Sequence, residues 1–290
     1  MTMTRYYRFG GVEIAITMPR KLVHENEYRL EPFRVEAAED PHVFRFALVP
    51  DLLPPEGEFL TEQANFCVLS HEGASIRYIG APRGSWERAY LRIEHRGKEH
   101  LIQLQESRVP GKVGSKVILE AIAAEHLIAR NNGFIFHCSY IENNGKAILF
   151  TAPSGTGKST QAELWHQHRD AEIINGDRAA VRLEDGVLLA EGIPFAGSSQ
   201  YCKNRSLPIE AIVYLSQATK TSVRKMRGYE AFSRIWEGVS VNTWDKEDVE
   251  LVSGVVQQVA ATIPVFHMPC TPDESAVLAL EEALRKQVSL

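Results

Sequence analysis

Short apolar stretches separated by turn residues characterise the first third of the chain. Tyr90-Leu-Arg-Ile-Glu94 partly alternates apolar and polar positions, as a half-buried strand does. The same reasoning predicts six strands, at Val12–Thr17, Val43–Leu48, Asn65–Ser70, Ser75–Ile79, Arg88–His95 and His100–Gln105. The pattern predicts a small β-rich domain over residues 1–110, with its boundary at Pro110-Gly111.

The pattern changes after residue 110, where apolar residues recur at helical spacing. Val117–Arg130 is predicted as a helix that ends at Asn131-Asn132-Gly133, because Asn and Gly accept the left-handed conformation of a helix cap. Further strands are predicted at Phe134–Ile141, Lys146–Thr151, Glu172–Asn175, Ala179–Leu183, Val187–Ala190 and Ala211–Leu215, and further helices at Lys158–Arg169, Asp248–Ala261 and Glu274–Arg285. The mixture predicts an α/β domain over residues 111–290.

Composition narrows the class of protein. The 290 residues are 44% hydrophobic and 24% charged, with a formal net charge of −5, so we expect a packed globular protein and no nucleic-acid partner. No apolar run approaches the roughly 18 residues of a membrane span, and the N-terminal residues lack the apolar run of a secretory signal. The cysteines at 67, 138, 202 and 270 are too scattered for a zinc site or a disulfide framework. We therefore expect a cytoplasmic protein without membrane contact.

One segment carries a recognisable chemical motif. Ala152-Pro-Ser-Gly-Thr-Gly-Lys-Ser-Thr160 matches the phosphate-binding pattern G-x-x-x-x-G-K-[ST] at every fixed position except the first, where Ala152 replaces glycine. A predicted strand leads into it and a predicted helix follows, so backbone amides and a helix N-terminus can surround a phosphate. The segment predicts an ATP site formed by Ser154, Gly155, Thr156, Gly157, Lys158, Ser159 and Thr160.

Three residues are assigned roles in the chemistry of this site. Lys158 is expected to reach the β- and γ-phosphates, and the Ser159 hydroxyl to bind Mg²⁺. Asp177 follows the predicted strand Glu172–Asn175, and acids at strand ends face the ligand crevice of an α/β sheet. Asp177 is therefore predicted to hold Mg²⁺ or to orient the acceptor hydroxyl, although it would also suit an ordinary turn.

His137, Lys203 and Arg205 are further candidates, each with a plain structural alternative. His137 lies near the start of the predicted strand Phe134–Ile141 and could hydrogen-bond the transferred phosphate, or it could be an ordinary core histidine whose hydrogen bonds are satisfied. Lys203 and Arg205 follow the flexible run Gly197-Ser-Ser-Gln200, so their loop could close over the phosphates and supply positive charge. The alternative for these two cations is a solvated basic loop.

The segments around the loop resemble the kinase domain of HPr kinase/phosphorylase, which is itself similar to the nucleotide-binding core of phosphoenolpyruvate carboxykinase. The likeness covers about residues 115–215 and depends on Phe136-His-Cys-Ser-Tyr140, the loop, and Ile174-Asn-Gly-Asp-Arg178. It implies a P-loop kinase domain in which His137 lies near the transferred phosphate and Asp177 binds metal. The first Asp of the family's acidic pair, which serves as the base, falls at Gly176 in this chain.

We therefore predict an ATP- and Mg²⁺-dependent kinase, with Asp177, Lys158 and His137 as catalytic residues. The acceptor is expected to be a hydroxyl of a peptide, a protein or a small molecule. A non-catalytic ATP-binding regulator or adaptor is the alternative, because Gly176 removes an acid from the site. A carboxykinase is disfavoured by the short chain and the single Asp. Residues 1–110 could select a peptide or protein acceptor or build a homo-oligomer.

Overall fold

The computed structural model describes residues 1–24, 29–63, 65–81, 85–109 and 111–288. The chain divides into two compact units, the first formed by Met1–Arg8 and Val12–Ala124 and the second by Phe9–Gly11 and Glu125–Leu290. Pro110, at the boundary that the sequence predicts, lies outside the described residues. The assignment of residues 1–110 and 111–290 to two functional domains stays a prediction.

The first unit contains one large mixed sheet, with both parallel and antiparallel strand pairs. Its strands are β1 (Thr2–Phe9), β2 (Val12–Pro19), β3 (Arg34–Val35), β4 (His42–Val49), β5 (Glu58–Gln63), β6 (Phe66–His71), β7 (Ala74–Ile79), β8 (Leu91–Arg96) and β9 (Glu99–Gln105). They lie in the order β3-β1-β2-β4-β9-β8-β7-β6-β5. The six predicted strands are confirmed, whereas β1, β3 and β5 were not predicted. β5 has no apolar alternation, and Phe59 on it is 57% exposed.

The helix predicted over Val117–Arg130 is two helices, α1 (Ser115–Ile122) and α2 (Ala124–Ala129). Ala123 between them has a left-handed backbone, with φ +53°, and this conformation ends α1. Alanine rarely adopts it and is the best helix former, so nothing in the local sequence signals the break. Asn132, with φ +53°, takes the left-handed conformation predicted for the end of the segment.

The second unit contains mixed strands and helices. Its elements are β10 (Gly133–Asn143), β11 (Lys146–Thr151), α3 (Lys158–Arg169), β12 (Glu172–Asn175), β13 (Arg178–Glu184), β14 (Val187–Gly192), β15 (Ser206–Gln217), β16 (Arg224–Met226), α4 (Gly228–Trp236), β17 (Val239–Ser240), α5 (Lys246–Thr262), β18 (Val265–Cys270) and α6 (Glu274–Val288). The predicted elements after residue 133 are confirmed, and α4 and β16–β18 were not predicted. With two large sheets and few helices, the fold is mixed α/β, as expected.

Parallel strands of the second sheet bring several carboxyl ends to one edge. β11 pairs in parallel with β15, with Thr151 opposite Tyr214, and β15 pairs in parallel with β18, with Gln217 opposite Cys270. β10 runs antiparallel to β11. The loop that follows Thr151 therefore lies at the edge where ligands bind in α/β sheets.

Side chains of β11 enter two different core clusters. Ile148 and Phe150 pack in the cluster that contains Trp165 of α3 and residues of α6, whereas Ala147 and Leu149 pack in the cluster that contains residues of α5. Burial on both faces explains why this strand is almost continuously apolar. Among the described helices, none combines the length and the apolar character needed to cross a membrane.

Candidate functional site

The loop between β11 and α3 has backbone angles that only glycine adopts readily. Gly155 and Gly157 have φ values of +78° and +121°. A Cβ atom at either position would meet nothing within 4 Å, so the backbone angle, and not crowding, explains both glycines. Ala152 is not among the described residues with positive φ, so its methyl group introduces no strain of this kind. α3 begins directly after the loop, at Lys158.

The side chain of Lys158 turns back into this loop. Lys158 is 7% exposed, and its Nζ donates a hydrogen bond to the carbonyl oxygen of Ala152 at 3.0 Å. Burial lowers the pKa of Lys158, while Cys138 and Asp177 act in the opposite direction. A partly desolvated ammonium group attracts an anion more strongly than one in bulk water.

A buried asparagine fixes the turn that carries Asp177. The Oδ1 atom of Asn175 accepts hydrogen bonds from the backbone N–H groups of Asp177 at 2.9 Å and Arg178 at 3.0 Å. Its Nδ2 atom donates to the carbonyl oxygen of Ile193 at 3.0 Å, and Asn175 itself is fully buried. The turn after β12 is therefore held from within the unit, and Asp177 is held with it.

His137, on β10, lies beside Asp177 in the turn between β12 and β13. Its Nδ1 atom is 3.6 Å from Asp177 Oδ1, and the Arg178 Nε atom is 3.2 Å from Asp177 Oδ2. Burial lowers the pKa of His137, and the charge of Lys158 lowers it further, while Asp177 raises it. The imidazole is therefore mostly neutral near pH 7, with one nitrogen able to accept a proton.

The loop, His137 and Asp177 border one cleft of about 590 Å³. Its lining residues are His137, Ser154, Gly155, Gly157, Lys158, Ser159, Thr160, Ala162, Glu163, Ile173, Gly176, Asp177, Ser198, Ser199, Gln200 and Tyr201. The structure thus brings together all the predicted site residues of the loop except Thr156. Thr156 lines a second, shallower pocket of about 440 Å³ on the β15 side of the loop, with Tyr214–Gln217.

Lys203 and Arg205 are not among the residues that line the cleft. Lys203 Nζ lies 2.7 Å from Glu172 Oε1, and Arg205 Nε lies 2.8 Å from Glu142 Oε2. Glu142 and Glu172 are direct partners in the β10–β12 register, where two like charges destabilise a sheet. The two cations therefore neutralise a pair of facing carboxylates, and their role in nucleotide binding stays a prediction.

The sequence reasoning missed the wall of the cleft that faces Asp177. This wall comes from Ser198, Ser199, Gln200 and Tyr201, which line the same cleft as Lys158. From the sequence, Gly197-Ser-Ser-Gln200 is assigned no contact with the site and is placed only as a flexible run before Lys203 and Arg205. The signal that could have found the wall is the run of small residues from Ala196 to Ser199, which permits close packing.

A separate charged cluster joins the end of α2 to the start of α5. Asp248 is fully buried, with His126 Nδ1 at 2.9 Å, Arg130 Nε at 3.1 Å and Asn242 Nδ2 at 3.1 Å from its oxygens. His126, Asp245 and Asp248 offer three possible metal ligands. The Arg130 guanidinium already contacts both carboxylates, however, and supplies the positive charge that they need. We interpret the cluster as an ion-pair network.

Comparison with known proteins yields little for this chain. No family model matches it, and no curated protein matches it. Among solved structures, it is similar to the HPr(Ser) kinase/phosphatase from Coxiella burnetii, with 11% identity and a TM-score of 0.34. That similarity covers 53% of this chain and 89% of the other. Any functional proposal therefore depends on the cleft residues themselves.

Proposed function

We propose that this protein is a Mg²⁺- and ATP-dependent phosphotransferase that acts on a hydroxyl group, with a P-loop kinase domain of the HPr kinase type. The observation that carries the proposal is the meeting of Lys158, Ser159 and Asp177 in one cleft, directly after a loop with two left-handed glycines. Phosphoryl transfer needs mainly positioning and charge stabilisation, and this small set of groups can provide both.

The loop and the start of α3 would bind the triphosphate. The N–H groups of Lys158, Ser159 and Thr160 lie in the first turn of α3, where a helix leaves its N–H groups without intrahelical partners and its partial positive charge attracts phosphate. Lys158 adds a full positive charge at the same place. In the transition state, this charge would offset the negative charge that grows on the transferred group.

The oxygen donors of the cleft suit Mg²⁺. The Ser159 hydroxyl and the Asp177 carboxylate line the same cleft, and magnesium prefers such oxygen ligands together with phosphate oxygens. When bound, the ion would neutralise charge on the β- and γ-phosphates. Ser159 and Asp177 are the residues that would hold it.

His137 and Asp177 would serve the acceptor side. Their side chains lie 3.6 Å apart, and the neutral imidazole of His137 can accept a proton from the attacking hydroxyl. Asp177 can orient that hydroxyl or hold the metal. The acceptor itself, a hydroxyl of a peptide, protein or small molecule, stays part of the proposal, as does a cytoplasmic location.

One observation favours a second candidate, a nucleotide-binding regulator or adaptor without turnover. Gly176 supplies no acid next to Asp177, and Ser199 packs closely against it. A cleft that binds MgATP but has no sufficient base would bind nucleotide and release it unchanged. Formation of ADP with a hydroxyl acceptor separates this candidate from the kinase.

Lys158→Ala provides the first test of the proposed function. We expect the variant to fold but to lose the rise in melting temperature that MgATP gives the wild type, together with any formation of ADP. Lys286→Ala, at an exposed position of α6, is the matched control and should respond like the wild type. A shift of wild-type size in Lys158→Ala would exclude the loop as the nucleotide site.

A further inference from the structure

Ser199 is fixed in the wall of the cleft by a tight turn. The N–H of Ser199 donates to the carbonyl oxygen of Ala196 at 2.8 Å, and the N–H of Tyr201 donates to Ser199 Oγ at 3.1 Å. A hydroxyl oxygen has two lone pairs and one proton, and the Tyr201 amide uses only one lone pair. The Ser199 hydroxyl is therefore held in place and still has its proton and a lone pair for chemistry.

The Ser199 hydroxyl lies against Gly176, the residue before the predicted metal ligand Asp177. A Cβ atom built on Gly176 would lie 2.3 Å from Ser199 Oγ, so the hydroxyl occupies the space that a side chain at 176 would take. A Cβ atom on Gly197 would lie 2.7 Å from the Asp177 carboxyl carbon. Two glycines thus allow the turn to close onto Gly176 and Asp177.

We propose that Ser199 is a phosphoryl acceptor, so that the protein phosphorylates itself. The proposal rests on the proposed function, because it needs MgATP in the cleft. A bond forms between Ser199 Oγ and the γ-phosphorus, and the bond from that phosphorus to the bridging oxygen of the β-phosphate breaks. The hydroxyl proton passes to His137 or Asp177, and ADP leaves with the bridging oxygen.

Ser199 fits this role better than the other two hydroxyls of the wall. Ser198 is exposed, and none of its atoms is among the three nearest to the Gly176 Cβ position, whereas two atoms of Ser199 lie within 3 Å of it. The phenol of Tyr201 is hydrogen-bonded to Glu163, which raises its pKa, as burial does to a smaller extent. The Tyr201 hydroxyl is thus engaged by a carboxylate of α3.

The experiment uses the full chain with MgATP and measures nucleotide binding and covalent phosphate in the same samples. Melting temperature reports binding, and peptide mass spectrometry locates the phosphate. We expect one phosphate on Ser199, none in Ser199→Ala or Lys158→Ala, and wild-type modification in Ser222→Ala, which changes an exposed serine outside the cleft. The rate per molecule should not depend on protein concentration, because donor and acceptor share one cleft.

The outcomes separate this inference from the function on which it rests. If MgATP binds and ADP forms with another acceptor, but Ser199 carries no phosphate, self-phosphorylation is wrong and the kinase assignment stands. Phosphate found on a residue other than Ser199 also overturns the inference. So does phosphate on Lys158→Ala chains that have been mixed with wild type, because it would show transfer between two chains. If MgATP does not bind at all, the proposed function itself fails.

Discussion

Replacing Gly176 by alanine is expected to destabilise the second unit through one steric contact. The added Cβ would lie 2.3 Å from Ser199 Oγ and 2.8 Å from Ser199 Cβ. A change of the Ser199 side-chain torsion can move Oγ away, but it leaves Cβ where it is. Gly176 has no positive φ, so alanine accepts its backbone conformation and the whole penalty is steric. The turn that carries Ser199 must therefore move.

Forcing an extra methyl group into a packed site costs roughly 1–3 kcal/mol of the free energy of unfolding. Gly254→Ala is the matched control. Gly254 lies within α5, has ordinary φ and has nothing within 4 Å of its Cβ position. There the same substitution should stabilise by about 1 kcal/mol, because alanine favours the helix. The same substitution is thus expected to lower the free energy of unfolding at Gly176 and to raise it at Gly254.

Urea unfolding of a double-mutant cycle tests the cause of the penalty. Ser199→Gly removes both clashing atoms, and the next atom, Tyr201 Cδ2, is 4.0 Å from the Cβ position. In the Ser199→Gly background, Gly176→Ala should therefore cost far less. If the two substitutions add to within about 0.5 kcal/mol, the contact between Gly176 and Ser199 does not limit this site and the reasoning is refuted.

Three further predictions concern two carboxylates, Asp177 and Asp248. Asp177→Asn should abolish Mg²⁺-dependent turnover while largely keeping nucleotide affinity, measured by titration with and without Mg²⁺, and equal turnover in variant and wild type would contradict the metal role. Asp248→Ala should cost roughly 1–3 kcal/mol in urea unfolding, because the buried amide of Asn242 and the ring of His126 lose their acceptor, while Arg130 keeps its ion pairs with Asp245 and Glu247. Burial raises the pKa of Asp248, but its hydrogen bonds from His126, Asn242 and Arg130 lower it below the ordinary value. The ionised Asp248 carboxylate therefore stabilises the fold at neutral pH, and this stabilisation is lost as the pH falls through the folded-state pKa. In Asp248→Asn, the free energy of unfolding should depend less on pH on the acid side. A pH dependence equal to that of the wild type would contradict this prediction.

Local sequence patterns were sufficient for elements whose own residues decide their structure. α3 begins at Lys158 and ends at Arg169 as predicted, since a glycine-rich loop precedes it and Asp170, with φ +52°, ends it. β18 was missed because Val265–Cys270 is a short run containing a proline, and its strand character comes from parallel pairing with β15. The break at Ala123 likewise has no local breaker residue, because alanine is the best helix former.

The same distinction separates the parts of the site that the sequence could locate from those that it could not. Lys158 and Ser159 belong to one contiguous motif, and Asp177 follows a strand whose end can be read locally. The partners of Lys203 and Arg205 depend instead on the register of β10 and β12, which places Glu142 opposite Glu172. A charged residue in a sequence does not reveal its counterion. A basic loop near a phosphate site therefore suggests phosphate binding until the strand register shows two carboxylates that pair with its cations. Ser199 is the converse case, because a small neutral residue becomes a candidate reactant only when Gly176 leaves space for its hydroxyl beside Asp177.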